Sequence, residues 1–144
     1  MAELGPLVVD ASAALGWVLK TQGGPCSDKF LAQLRRYRLI APDVFAWETG
    51  NVLRLWAVRG SLDLAAALRE LHDLRITILP PRVSGHIYEL TAFARSVGLS
   101  LFDTAYLALA LESGGELASR DKALLTVARA NAIPCHDLSE PRLS

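Results

Sequence analysis

The chain has 144 residues, 51% of them apolar and 21% charged, with 15 basic residues balanced by 15 acidic ones. This length and composition suit one soluble globular domain with a core of its own, and the neutral balance gives no overall field of the kind that marks many nucleic-acid binders. The two cysteines, Cys26 and Cys135, form no C-x-x-C pair and suggest neither a disulfide framework nor a zinc site, which suits a reducing cytoplasm.

In chain order, Leu7-Val8-Val9-Asp10 reads as a short strand ending in an acid, followed by helical periodicity over 12–19 and 27–36. Arg38-Leu39-Ile40-Ala41 is a second strand stopped by Pro42, and helices are predicted over 43–58 and 62–73. Ile76-Thr77-Ile78-Leu79 is β-branched and halts at Pro80-Pro81; helices over 83–96 and 101–113 follow. Glu116-Leu117-Ala118-Ser119 comes after the Gly114-Gly115 break, then a helix over 122–131 and a last strand at Ile133-Pro134-Cys135-His136. Gly23-Gly24-Pro25 and Gly60-Ser61 read as loops. Alternating strands and helices predict an α/β fold with a mainly parallel sheet covered on both faces. The N-terminal Met1–Pro6 has no basic stretch or apolar h-region, and the longest apolar run near the C-terminal half is Ala105–Leu111. No signal peptide and no membrane span are therefore expected.

In open α/β sheets ligands bind beyond the carboxyl ends of the strands. Asp10 stands at one such end and Asp121 two residues beyond another, while Asp103 opens the helix Thr104–Leu109. Taken singly, each also reads as an ordinary helix-start acid: Asp10 and Asp121 as N-caps, Asp103 three residues after Ser100 at capping-box spacing. Glu48 is more informative. It lies on the apolar line Val44, Glu48, Val52, Leu55 with Asn51 on the same side, and its i±3 and i±4 neighbours hold no Lys or Arg. A carboxylate on a core-facing stripe needs a partner, either a distant Arg or a cation shared with Asp10 and Asp103. Several clustered carboxylates make chemical sense as a cradle for Mg²⁺ or Mn²⁺, which take hard oxygen ligands and promote phosphodiester cleavage by activated water.

His72, His86 and His136 are scattered without metal-ligand spacing, and Trp17, Trp47 and Trp56 read as core residues. No P-loop and no G-x-S-x-G elbow is present, and Asp10-Ala11-Ser12 lacks the second acid of a haloacid-dehalogenase-type phosphatase.

Four segments together resemble the motifs of PIN-domain nucleases, most closely the VapC-type toxins of toxin–antitoxin pairs. They are Leu7–Ser12, Trp47–Leu53, Leu101–Ala110 and Leu117–Leu124. The resemblance spans 7 to about 136 and implies a single α/β/α sandwich over 1–144 with a five-stranded parallel sheet. It implies a Mg²⁺- or Mn²⁺-dependent endoribonuclease in which Asp10, Glu48, Asp103 and Asp121 are the catalytic and metal-ligating acids. Ser12, Asn51 and Ser119 are implied as hydrogen-bonding partners of those acids, Ser119 standing where the family often has Thr. An RNA substrate, a protein antitoxin, a homodimer and a cytoplasmic location without membrane attachment follow from the same kinship. Arg54 and Arg120 are candidate phosphate contacts. A structure-specific DNase with the same acids and a PIN-like module that binds without cutting are the alternatives.

Overall fold

A computed structural model describes residues 3–19 and 22–140. Five strands, β1 (Gly5–Val9), β2 (Tyr37–Ala41), β3 (Thr77–Ile78), β4 (Glu116–Ser119) and β5 (Cys135–Asp137), form one sheet in the order β3-β2-β1-β4-β5. All its pairings are parallel: Val8 stands opposite Ile40 on one side and Leu117 on the other. The expected mainly parallel α/β fold is thus fully parallel. β1, β2 and β4 read as apolar runs because both of their faces are covered: Leu7, Val8, Val9, Ile40 and Leu117 are all inaccessible to solvent.

Among the described residues seven α-helices connect the strands: α1 (Ala11–Val18), α2 (Pro25–Leu31), α3 (Val44–Val58), α4 (Leu64–Asp73), α5 (Ile87–Val97), α6 (Leu101–Ser113) and α7 (Lys122–Ala130). Helices α1 to α4 pack among themselves, as do α5 to α7. Right-handed crossovers place these groups on opposite faces of the sheet, because the chain moves outward from β1 to β3 and then returns across it to β4. The reversal falls between β1 and β4. Asp10 N–H donates to the Ala118 carbonyl there (3.2 Å), joining the two strand ends.

The helix expected over 27–36 begins earlier and divides. Pro25 takes the first helical position after Gly24, a place where its missing N–H costs nothing, and the α-helix ends at Leu31 before a 3₁₀ turn at Leu34–Arg36. Phe30 and Leu34 keep their core-facing spacing across that break, so the periodicity carries no sign of it. At the end of α6, Gly114 adopts the left-handed conformation (φ 64°) that turns the chain into β4. Among the described residues no helix is long and apolar enough to cross a membrane.

Candidate active site at the sheet reversal

Asp10 follows β1 directly, caps α1 and is buried, at 4% exposure. Its Oδ1 accepts from the Ser12 hydroxyl (2.7 Å) and from Ala13 N–H (2.8 Å), while Oδ2 accepts from the Ser119 hydroxyl. Burial pushes its pKa up to about 6; the hydrogen bonds from Ser119, Ala13 and Ser12 oppose that rise, and the negative charge of Asp121 adds to it. The cap role read from the sequence is real, since Oδ1 accepts from Ala13 N–H at the start of α1.

Ser119 ends β4 with no solvent exposure. Its hydroxyl donates to Asp10 and accepts from Asp121 N–H (2.9 Å). Ser12 likewise donates to Asp10 and accepts from Arg120 N–H (2.9 Å). Two hydroxyls, of Ser12 and Ser119, therefore lock the β1 end to the loop after β4. Ser119→Ala would leave Asp10 Oδ2 and Asp121 N–H unpaired at a buried site, an expected loss of about 1–3 kcal/mol in urea unfolding. The loss should be larger near pH 8 than near pH 5, on the order of the shift of Asp10 into its ionised form, which needs the donor most.

Glu48, on α3, is half-buried, and its Oε1 accepts from the Tyr106 hydroxyl of α6 (2.6 Å). The partner required for this carboxylate is thus a phenol across the sheet end, and among the described residues Glu48 has no salt bridge. Tyr106 is almost fully buried. Burial first, then its bond to Glu48 and the charges of Glu48 and Asp10, hold its pKa far above the ordinary range, so it stays a donor. Sequence reasoning assigned Tyr106 no role. Its signal was a phenol three residues beyond Asp103 on an otherwise apolar helix, since a buried Tyr hydroxyl needs a partner.

Asp103 sits half-exposed in the first turn of α6, its N–H bonded to the Ser100 hydroxyl (3.1 Å). Burial raises its pKa, with further upward contributions from the charges of Asp121 and Glu48. Asp121 caps α7, its Oδ1 accepting from Leu124 N–H (3.2 Å). Asp10 feels Asp121, Asp103 feels Asp121 and Glu48, and Tyr106 feels Glu48 and Asp10, so the four acids face one region.

The remaining sequence candidates lie apart. Asn51 is exposed and accepts from Arg54 (3.5 Å) on the outer side of α3, with no bond to an acid. The Arg120 side chain lies over Gly16 of α1, its Nε buried without a partner. Of the histidines, His72 and His86 are exposed, and His136 packs on Phe30 while bonding Glu116 (2.7 Å). Trp47 corrects the core expectation: α3 buries Phe45, Thr49 and Leu53, which turns Trp47 outward to 80% exposure.

Among the described residues no three His, Cys, Asp or Glu side chains converge tightly enough to enclose an ion by themselves. The donor set is nevertheless all carboxylate, and the one salt bridge among the described residues, His136–Glu116, lies elsewhere. Spaced, uncompensated oxygens fit a hard divalent cation that keeps several of its waters.

Comparison with known proteins agrees with this fold. A family model described as PIN domain matches residues 7–130. Over 121 residues the chain is 28% identical to Ribonuclease VapC3 of Pyrobaculum aerophilum, covering 82% of this chain and 91% of that protein. The crystal structure of PAE2754 from Pyrobaculum aerophilum is similar with a TM-score of 0.65 and 26% identity, over 88% of this chain and 87% of the other. The structure of FitAB bound to an IR36 DNA fragment matches with a TM-score of 0.63 and 12% identity, over 95% of this chain and 98% of that one, a likeness of fold alone.

Proposed function

We infer, because this chain belongs to the PIN-domain family, that it is a metal-dependent endoribonuclease and the toxin of a toxin–antitoxin pair. One observation carries the reading: four acids delivered by different parts of the chain face one region at the sheet reversal, and among the described residues no cationic side chain is paired to them. Like charges that face one region without compensation repel one another and make little sense as a structural device. The similarity to a protein named a ribonuclease supports the substrate class.

Asp10, Glu48, Asp103 and Asp121 would hold Mg²⁺ or Mn²⁺. Such an ion, when bound, supplies positive charge that lowers the pKa of water and stabilises oxyanions in phosphodiester hydrolysis. The chain's own part is positioning. Ser12, Ser119 and Ala13 N–H fix both oxygens of Asp10, and the Tyr106 hydroxyl fixes one oxygen of Glu48 and leaves Oε2 for a ligand. Asp103 and Asp121, at the more open side, are reachable by substrate and water.

An antitoxin that covers the acids, pairing of two copies and residence in the cytoplasm belong to the same proposal. The exposed Ile87 and Tyr88 of α5 offer apolar surface for protein contacts. The test is incubation of the partner-free protein with single-stranded and structured RNAs and the matching DNAs, in Mg²⁺, Mn²⁺ or EDTA. Cleavage of RNA that requires the metal is expected. Cleavage of DNA alone would replace the substrate class, and a folded protein that cuts neither would reduce the reading to a binding module.

A further inference from the structure

The outer side of α3 carries a second set of residues that the acid cluster does not use. Trp47, Gly50, Asn51 and Arg54 stand at i, i+3, i+4 and i+7, one stripe along the helix. With Ala46 they line a shallow recess of about 470 Å³. An indole 80% exposed is unusual, because a tryptophan in water forgoes the burial its surface would otherwise gain. Gly50 adds to the opening: a Cβ built there would meet nothing within 4 Å, so a planar group can lie against the helix beside the indole. Arg54 has no carboxylate partner among the described residues, and its one bond is the long contact to Asn51 (3.5 Å). A guanidinium in an open recess suits a phosphate, and the neighbouring amide offers a donor and an acceptor.

The stripe begins next to one of the acids in the chain. Trp47 immediately precedes Glu48, whose carboxylate turns inward to Tyr106. On the other side of the cluster Phe102 immediately precedes Asp103 and is 59% exposed. An exposed aromatic thus adjoins an acid on both α3 and α6. From Trp47 to Arg54 the helix rises about 10 Å, room for a nucleotide or two.

We propose that the Trp47–Asn51–Arg54 stripe is a binding strip for single-stranded RNA, the indole stacking on an unpaired base while Arg54 holds a backbone phosphate two turns farther along the same helix. The proposal rests on the nuclease reading for its substrate and selects the form of that substrate. Base faces are hidden inside a duplex and available in loops and single strands, so this strip directs the protein to unpaired RNA.

The test reads binding separately from cutting. Anisotropy of a short labelled single-stranded RNA, and of the same strand annealed to its complement, is measured in EDTA for the wild type and its variants. Trp47→Ala is expected to weaken single-strand binding about 10-fold or more, with Trp47→Phe retaining most of the affinity. Arg54→Ala is expected to weaken it and to lower the salt dependence by about one ion. Duplex binding should move by less than about twofold with Trp47→Ala, since no base face is exposed to it. Wild-type affinity in both alanine variants, equal losses on single strand and duplex, or no binding of the single strand by the wild type would overturn the proposal. So would a Trp47→Ala variant that separates associated copies in sedimentation while its affinity for RNA per subunit is unchanged, which would make the face a protein contact. Cleavage of the same RNA in Mg²⁺ is scored in parallel. Trp47-dependent binding without cleavage would sink the nuclease reading and keep the strip, and cleavage indifferent to Trp47 and Arg54 would do the reverse.

Discussion

Replacing Asp10 with Asn is expected to lower metal-dependent RNA cleavage by about 10³-fold, several kcal/mol of transition-state stabilisation, while making the metal-free protein more stable. The two effects have one cause. Asp10 is buried, and its pKa stands at about 6 against an ordinary 3.8. A folded-state pKa above the unfolded one means that the fold prefers the protonated carboxyl. The associated stability is fully present below the unfolded value and is lost as pH rises through the folded one. At neutral pH and above, the buried charge costs on the order of 3 kcal/mol, the gap between those two values at about 1.4 kcal/mol per pH unit. Asn is neutral throughout and can still accept from Ala13 N–H. Unfolding of the two proteins in EDTA should therefore diverge near pH 8 and converge only toward about pH 3, below the unfolded value, where Asp10 is largely protonated in both states. Equal stability across that range would mean that the Asp10 charge is compensated by something other than a cation.

Divalent cation should supply what the mutation removes. Mn²⁺ or Mg²⁺ at about a hundred times its dissociation constant is expected to stabilise the wild type by about 2.7 kcal/mol, raising its melting temperature by several degrees. The gain should be greatest above about pH 6, because below that the proton competes with the cation for Asp10. Asp103→Asn should keep the fold and lose most of the gain. Asp103 is half-exposed in the first turn of α6, and the Ser100 hydroxyl that accepts from its N–H is untouched by the change. Calorimetry or thermal shift with and without the ion reads this without any RNA. An unchanged melting temperature at saturating metal would argue that the acids hold no ion in the absence of substrate.

Much of this arrangement could be read along the chain. Leu7–Val9, Leu39–Ala41 and Leu117–Ser119 are too apolar for surface strands, and the helical spacings between them leave a parallel sheet as the natural outcome. Three of the acids were equally visible, since Asp10, Asp103 and Asp121 each follow a strand or open a helix, places where side chains gather at the carboxyl edge of such a sheet, while Glu48 showed as a carboxylate on an apolar helical stripe. Ser12 and Ser119 stood out only through family likeness, and the structure then joined both to Asp10.

What escaped the linear reading depended on distant neighbours. The periodicity of 43–58 fits two adjacent stripes. Packing on α1 and α4 selects Phe45, Thr49 and Leu53 for burial, and that choice of rotation turns Trp47 and Arg54 outward. The partner of Glu48 comes from a helix 58 residues later, on the other group of helices, and no i±4 rule can reach it. Residue types and local spacing, which set strand and helix propensity, thus decide the fold class and the acids. Contacts across the sheet reversal decide the raised pKa of Asp10, the Tyr106 bond and the exposed indole, because burial and long-range pairing exist only once β1 and β4 lie side by side.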